Sequence, residues 1–207
     1  MKFTEEEIIS VSNEVYKRLS EKRYAHTVSV VNAAKRIGQY FSEIDLSELS
    51  IAALLHDVTK ELTYDEQIAI LEEGRELITN EDREAPAVLH SLSAPCVIKR
   101  DFPEYATESI LSAVKNHTMG AAQMSVFDRI IFIADYVEDS RIYESCIKVR
   151  AALYYGLSFE NSYDKNERAL NKAVYDSLVF TENEVIKRGR TLNSKSKETK
   201  EYFCKML

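Results

Sequence analysis

The stretch IAALLHDVTKE, residues 51–61, joins an apolar run to a histidine and an aspartate that are neighbours in sequence. Because the run IAALL is apolar on every side, it predicts a central, buried helix. Adjacent residues on a helix point about 100° apart, so His56 and Asp57 cannot both face the core as members of one apolar stripe do. An isolated buried charge is costly, so an imidazole and a carboxylate at the end of such a helix need a common partner.

Helix-start signals and apolar stripes recur along the whole chain. Capping boxes are predicted for the pairs Thr4 and Glu7, Asp45 and Glu48, and Thr63 and Glu66. Besides a helix after Thr4 and one from Asp45, we expect helices over 22–41, 64–72, 105–116, 126–138, 144–155 and 159–188. Gly156 and Gly189 lie where helices are expected to end. No segment alternates with period two, so the sequence predicts an all-α fold.

The segment around Pro95 follows a different pattern from its neighbours. Ser93 is expected to cap a helix that has Pro95 in its first turn, which leaves His90 in the preceding turn. With no internal repeat or linker, we expect one domain over 1–190 and a basic helical C-terminal extension over 191–207.

Composition restricts the class of protein. With 207 residues, 45% of them hydrophobic and 29% charged, the chain is expected to form a globular domain with a full core. The net charge of −7 argues against general nucleic-acid binding, and no apolar run approaches the roughly 18 residues that span a bilayer. The amino-terminal segment lacks the apolar region of a signal peptide. Three distant cysteines without a CxxC motif argue against a disulfide framework, so we expect a cytoplasmic protein.

Several ionisable groups fall on predicted inward faces. A lone histidine on a helix face is usually a satisfied core or surface residue, but here His26 extends an apolar stripe and His117 follows Val114 by three residues. Asp135 interrupts the apolar segment RIIFIADYV. Together with His56 beside Asp57, these groups are too many to leave unpaired, and a shared cation resolves the difficulty because it neutralises carboxylates and binds imidazole lone pairs.

The donor types indicate the kind of metal site. Imidazole with carboxylate and no thiolate suits iron, manganese, cobalt, nickel or zinc and disfavours a closed structural zinc site. The predicted ligands are His26, His56, Asp57 and Asp135. Four ligands leave open positions on an octahedral ion for water and substrate, and Asp57 can also bridge to a second ion. Such a metal lowers the pKa of bound water and supplies hydroxide at neutral pH.

Three cations lie one to two helical turns from these ligands. Arg23 precedes His26 by three residues, Lys60 follows His56 by four, and Arg141 follows Asp135 by six. Each of them alone is most simply a solvated surface charge. Their common spacing favours a rim that holds phosphate oxygens.

The order of these motifs resembles the HD-domain metallohydrolases, and more closely their YqeK-like branch, the symmetrical diadenosine tetraphosphate hydrolases. The motifs run R-x-x-H, LLHDxxK, a lone histidine, NHT and IADYxExxR, and the similarity spans roughly residues 20–190. The matching residues are Arg23, His26, His56, Asp57, Lys60, His90, His117, Thr118, Asp135, Tyr136, Glu138 and Arg141. Two departures stand out, since Asp139 occupies a position where many relatives have proline, and Ala121 and Ala122 occupy positions where relatives tend to place a basic residue.

The resemblance implies an HD-type helical bundle and symmetrical cleavage of diadenosine tetraphosphate into two ADP. It implies an iron centre of one or two ions, for which manganese or cobalt can substitute, held by the four ligands named above. It places His90 and His117 beside the phosphates or at a second metal. The residues expected to contact the nucleotide are Arg23, Lys60, His90, His117, Tyr136 and Arg141.

The mechanism we expect is attack by a metal-bound hydroxide, with Asp57, His90 and His117 as catalytic residues and either histidine protonating the leaving diphosphate. The partner is a small dinucleotide, with a product such as ADP or GDP, and a homodimer is allowed. The adenosine pocket does not follow from residue spacing, and Thr181 and Asn183 are its weak candidates.

Two other functions stay open at this point. The first is an HD phosphohydrolase that acts on a deoxynucleotide, a guanosine polyphosphate or a cyclic dinucleotide. The second is a non-catalytic nucleotide sensor or assembly factor. Its support is the segment 187–207, whose seven basic and two acidic residues can attract RNA, although a short basic run is more often a solvated face.

Overall fold

The computed structural model describes residues 2–190 and 192–207, and within these ranges the chain forms helices and no strand, as predicted. The α-helices in these ranges are α1 (Glu5–Tyr16), α2 (Glu21–Gly38), α3 (Leu46–Leu55), α4 (Tyr64–Glu73), α5 (Asn80–Glu84), α6 (Leu89–Asp101), α7 (Glu108–Asn116), α8 (Val126–Val137), α9 (Glu144–Gly156), α10 (Tyr163–Lys187) and α11 (Ser194–Lys205). Two 3₁₀ helices, Pro86–Val88 and Pro103–Tyr105, precede α6 and α7. In the described ranges, no helix combines the length and the apolar character needed to cross a membrane.

Side-chain caps determine where most of the helices begin. The capping boxes predicted at Thr4 and Thr63 are present. Asp45 caps α3 as expected, but its box with Glu48 does not form. The Glu48 carboxylate instead accepts hydrogen bonds from Lys2 Nζ at 2.8 Å and from Thr107 Oγ1 at 2.6 Å. Contacts with distant segments thus take the place of the local capping interaction.

Helix α3 is the centre of the bundle. Every residue from Ser47 to Leu55 is buried, as the apolar run predicts. The helix packs against α1, α2, α7 and α8, and α2 and α8 also pack against each other. The residues that follow α3 therefore enter a region enclosed by several helices, where a polar group has little access to water.

The prediction around Pro95 is wrong. Helix α6 begins at Leu89, so His90 lies in its first turn and Pro95 in its interior. The Ser93 hydroxyl does not cap a helix but donates to Thr59 Oγ1 at 2.8 Å. A proline inside a helix costs about 3 kcal/mol. Burial of Leu89 and Leu92, at about 1.5–3 kcal/mol each, offsets that cost. The helix therefore begins at Leu89, ahead of the proline.

The carboxyl-terminal helices pack onto the bundle. Helix α10 packs against α8, α9 and α11. Helix α9 ends at Gly156, and Gly189 follows the end of α10 with a φ of +69°, the left-handed conformation that glycine adopts without strain. Phe203 of α11 is 1% exposed and belongs to the main hydrophobic core.

Candidate active site

The predicted site residues come from five parts of the chain and meet at the end of α3. Asp57 lies at the centre, directly after the residue that caps this helix. The others are Arg23 and His26 on α2, His56 and Lys60 at and after the end of α3, His90 in the first turn of α6, His117 after α7, Asp135 and Tyr136 in the last turn of α8, and Arg141 in the following loop. Residues as far apart in sequence as His26 and Asp135 are therefore neighbours.

Asp57 stands between two pairs of histidines. The side chain is buried, with 2% of the residue exposed. Its Oδ2 atom lies 3.4 Å from His56 Nε2 and 3.9 Å from His26 Nε2. Its Oδ1 atom lies 3.3 Å from His90 Nε2 and 3.6 Å from His117 Nε2. Each carboxylate oxygen thus faces a different pair of imidazoles.

Two of the histidines occupy equivalent positions at helix ends. His56 caps α3 and His117 caps α7, and each ring turns back on its own helix. His56 Nδ1 lies 2.6 Å from the carbonyl oxygen of Ala53, and His117 Nδ1 lies 2.7 Å from that of Val114. Because a carbonyl only accepts, Nδ1 carries the proton in both rings, and Nε2 faces Asp57 with its lone pair when the ring is neutral.

His26 is oriented by a carboxylate to which the sequence analysis assigned no role. Its Nδ1 atom lies 3.2 Å from Glu138 Oε1, and its Nε2 atom lies 3.0 Å from Asp135 Oδ1. Glu138 is fully buried and also accepts a hydrogen bond from the backbone N–H of Ser140 at 2.7 Å. A carboxylate that holds the far nitrogen of a histidine is typical of metal-binding histidines. The only sequence signal for this role is the position of Glu138, three residues after Asp135.

The donor atoms fit a divalent metal ion. Among the described residues, the buried atoms His26 Nε2 and His56 Nε2 form no hydrogen bond of good geometry, although each lies near a carboxylate oxygen. Unsatisfied buried nitrogens are costly unless a ligand uses their lone pairs. Three overlapping groups have their donor atoms within 4.8 Å of one another: His26, His56 and Asp57; His56, His117 and Asp135; and Asp57, His90 and His117. No thiolate belongs to these groups, which agrees with the expected imidazole and carboxylate donor set.

The two aspartates remain ionised in spite of their burial. Burial by itself raises the pKa of a carboxylic acid, because it disfavours the charged form. The imidazoles of His56 and His117 nevertheless hold the pKa of Asp57 well below its usual value. The pKa of Asp135 is likewise lowered against the effect of burial, through its contacts with His26 and His56. Both side chains therefore offer the anionic form that a cation requires.

For the basic side chains of His90 and Lys60, burial lowers the pKa. Burial lowers the pKa of His90 well below its usual value, and the nearby His117 and Lys60 lower it further. Burial also lowers the pKa of Lys60, because its Nζ atom lies in a mostly buried position. Lys60 Nζ lies 3.1 Å from His90 Nε2 and 3.2 Å from His90 Nδ1. His90 is thus kept neutral, which is the form of imidazole that donates a lone pair.

Two of the three cations expected at the rim, Arg23 and Arg141, lie against the two aspartates, whereas Lys60 lies against His90. Arg23 donates to Asp57 Oδ2 at 3.0 Å, and Arg141 donates to Asp135 Oδ1 at 2.8 Å. Their side chains are 29% and 35% exposed, so both remain accessible from outside the cluster. A phosphate chain that approaches the aspartates meets these guanidinium groups first.

Two cavities of similar size border the cluster. The first, about 540 Å³ and here called the α2 cavity, is lined by residues that include Arg23 and His26. The second, about 530 Å³ and here called the α10 cavity, is lined by residues that include Asp135, Tyr136 and Thr181. Arg141 and Tyr143 line both. Of the two weak candidates for the adenosine pocket, Thr181 thus lies in a cavity wall, whereas Asn183 is exposed.

The turn that leads to Arg141 contains Asp139 at the position where many relatives have proline. Asp139 accepts a hydrogen bond from Arg36 at 2.9 Å. The Arg141 backbone N–H donates to the carbonyl oxygen of Glu138 at 3.0 Å, and Ser140 donates to the Glu138 carboxylate. These contacts hold the turn without the rigid ring of a proline.

The contact between Glu138 and His26 leads to a first prediction. Glu138→Gln removes the charge that orients His26 while it preserves the size of the side chain. We expect metal affinity to fall about 10- to 100-fold, the usual cost of losing such an orienting carboxylate. Competition with a chromogenic chelator measures the affinity, and Glu144→Gln, an exposed position on α9, is the matched control. Unchanged affinity in Glu138→Gln would show that this carboxylate does not support the site.

The chain is similar to several known proteins. Residues 23–139 match the HD domain family. The chain is 30% identical over 172 residues to the symmetrical bis(5'-nucleosyl)-tetraphosphatase of Bacillus subtilis (strain 168), covering 80% of this chain and 83% of that protein. It is 26% identical over 189 residues to the Staphylococcus aureus (strain NCTC 8325 / PS 47) protein of the same name, covering 90% and 89%. A crystal structure of a Clostridium acetobutylicum protein, described as a predicted HD superfamily hydrolase involved in NAD metabolism, superimposes with a TM-score of 0.83 at 28% identity and covers 96% of this chain and 97% of that one.

Proposed function

The chain belongs to the HD-domain family of metal-dependent hydrolases, and from this membership we propose that it cleaves diadenosine tetraphosphate symmetrically into two ADP. The relatives from Bacillus subtilis and Staphylococcus aureus are named for this class of activity. The substrate has a nucleoside at each end of four phosphates, so a site for it needs two nucleoside positions and a cationic path between them.

The observation that carries this proposal is the pair of cavities. The α2 cavity reaches the cluster at His26 and the α10 cavity reaches it at Asp135, two groups whose nearest atoms are 3.0 Å apart. Each volume falls in the range of about 300–1,000 Å³ typical of small-molecule sites. One nucleoside in each cavity would carry the phosphate chain past Arg141, which lines both. A mononucleotide would fill only one of them.

We propose that His26, His56, Asp57 and Asp135 hold an iron ion, for which manganese or cobalt can substitute. His90 and His117, whose Nε2 atoms face Asp57 Oδ1, would hold a second ion. A metal bound in this cluster supplies Lewis acidity toward a phosphoryl oxygen and lowers the pKa of a coordinated water. The donor set, which lacks thiolate, suits these metals.

The remaining side chains bind and orient the phosphates. Arg23 and Arg141 lie on the two cavity walls and can each donate paired hydrogen bonds to phosphate oxygens. Lys60 lies on the His90 side of the cluster and offsets the charge that develops on the transferred phosphoryl group. The leaving ADP ends in a phosphate whose second pKa is about 6, so it departs at neutral pH with little need for protonation. Burial, His117 and Lys60 hold the pKa of His90 well below its usual value, so His90 is not the proton donor we expected, and His117 would supply a proton only where it does not hold a second ion.

A labelled-product experiment tests the proposal. Protein prepared without oxygen and loaded with iron, manganese or cobalt is given diadenosine tetraphosphate in heavy-oxygen water. We expect two ADP per turnover, with one label on the terminal phosphate of one of them, because a single water attacks a single phosphorus. ATP with AMP as products would contradict symmetrical cleavage.

The same assay separates the other functions. A panel with a deoxynucleoside triphosphate, a guanosine polyphosphate, a cyclic dinucleotide and NAD tests the other HD phosphohydrolase activities. NAD belongs in the panel because of the description of the Clostridium acetobutylicum protein. We expect diadenosine tetraphosphate to have the highest kcat/KM. Tight binding of the dinucleotide without turnover in all three metal forms would instead indicate a sensor.

A further inference from the structure

Helix α11 reaches back to the segment that carries His117. The Ser196 hydroxyl donates to the carbonyl oxygen of Met119 at 3.0 Å. Thr199 lies three residues further on the same face of the helix. Its hydroxyl donates to the backbone carbonyl oxygen of Lys195 at 2.7 Å. Its weaker contact with the Met119 carbonyl oxygen is 3.4 Å long. Ser196 is therefore the main donor to this carbonyl.

Helix α11 also packs closely against Gly120, the residue after Met119. Gly120 has a φ of +72°, and a Cβ atom at this position would lie 2.6 Å from the Thr199 Cγ2 atom. Glycine is thus required both by its backbone conformation and by the approach of α11. Ser196 is 5% exposed and Thr199 is fully buried, so water does not compete for these contacts.

Residues 117–120, which α11 contacts in this way, also contact His90 and its helix. Thr118 Oγ1 lies 3.1 Å from His90 Nε2, and His117 Nε2 lies 3.0 Å from the same atom. The Met119 side chain packs with Leu89 and Leu92 of α6. Residues 117–120 therefore lie between α11 on one side and His90 with its helix on the other.

Helix α11 is itself fixed to the body of the protein. Phe203 lies in the main core, and the Arg129 guanidinium stands 6.0 Å from the centre of its ring. Lys200 forms an ion pair with Glu182 of α10. The exposed lysines Lys195 and Lys197 lie beside the buried Ser196. Lys195 and Lys197 are thus basic residues on the outer face of a packed helix.

We infer that α11 positions the histidine pair, with Ser196 and Thr199 acting through Met119 and Gly120 to set the distance between His117 and His90. This inference rests on the proposed function, because His90 and His117 are the groups that the reaction would use. Displacement of a group in such a site by about 1 Å can cost on the order of 100-fold in rate. The carboxyl-terminal helix would then be part of the hydrolase and not an appendage to it.

Ser196→Ala tests the hydrogen bond. We expect kcat to fall about tenfold while KM stays within about twofold of wild type and the ion proposed at His26, His56, Asp57 and Asp135 is retained. The reason is that the arginines proposed to bind phosphate and the metal ligands on α2, α3 and α8 are untouched. Lys197→Ala, an exposed neighbour on the same helix, is the matched control and should behave as wild type. Wild-type kcat in Ser196→Ala would overturn the inference.

A second pair of variants tests the close packing. Gly120→Ala should lower kcat at least as much as Ser196→Ala, since the added methyl group meets Thr199. Adding Thr199→Ser removes Cγ2 but retains the hydroxyl, so the double variant should recover part of the lost kcat. A double variant no better than Gly120→Ala would show that relief of the Thr199 Cγ2 contact does not restore the site and would count against the inference.

Histidine side-chain NMR gives a readout that does not depend on turnover. The chain has only four histidines, so their ring signals can be assigned by substitution. In the full-length protein loaded with diamagnetic Zn²⁺, Ser196→Ala should shift the signals of His90 and His117 and leave those of His26 in place. His56, whose ring centre lies 5.0 Å from that of His117, should shift less than His117. Equal shifts in all four would indicate general loosening and overturn the inference. A wild-type protein without activity on the dinucleotide would contradict the proposed function, yet this spectrum would still test the positioning by α11.

Discussion

Asp57→Asn is expected to abolish hydrolysis and metal retention together. We expect kcat/KM to fall by at least about 10³-fold and the affinity for the metal by more than about 100-fold. The reason is the position of Asp57, whose two oxygens face different pairs of histidines. Loss of the charge on Asp57 therefore weakens the carboxylate that both pairs of histidines share. Elemental analysis after gel filtration and initial rates with diadenosine tetraphosphate measure the two effects.

The fold should survive this substitution. Asparagine has nearly the same shape as aspartate, and α3 ends before this residue, so circular dichroism should report wild-type helical content. Asp101→Asn, at the end of α6 beside Arg18 and Arg100, is the matched control and should keep both metal and activity. Full metal occupancy in Asp57→Asn would show that the cluster is not the metal site.

Lys60→Met is expected to lower kcat/KM about 10- to 150-fold without loss of metal. Methionine preserves the length and the apolar stem of the side chain, so the change removes mainly the charge. Loss of a charge-assisted hydrogen bond to a phosphate costs about 1.5–3 kcal/mol, which gives this range of rates. Steady-state kinetics on the dinucleotide and elemental analysis of the same sample test both parts.

Lys115→Met provides the comparison for Lys60. Lys115 lies on α7 and pairs with Glu76 at 3.3 Å on the surface, so its loss should leave kinetics unchanged. Wild-type kcat/KM in Lys60→Met would remove Lys60 from the substrate path. Loss of metal in Lys60→Met would mean that Lys60 acts on the cluster through His90 and not on phosphate.

Local patterns were enough to predict most helices and the members of the cluster. A run that is apolar on all sides is typical of a buried helix, so IAALL, with the capping signal at Asp45 before it, indicated the centre of the bundle. Polar groups on predicted inward faces marked His26, His56, Asp57 and Asp135 for the same reason, because burial without a partner is costly. These inferences depend on which face of a helix is buried, which sequence spacing reports directly.

Tertiary structure alone decided which atoms meet. Arg23 and Asp57 are 34 residues apart, and His26 and Glu138 are 112 apart, so no periodicity relates them. The start of α6 was mispredicted because burial of Leu89 outweighed the local signal of Ser93 and Pro95. The contact of Ser196 with Met119 spans 77 residues. A sequence pattern specifies the side of a helix that faces inward, whereas the partner on that side depends on how the helices pack against one another.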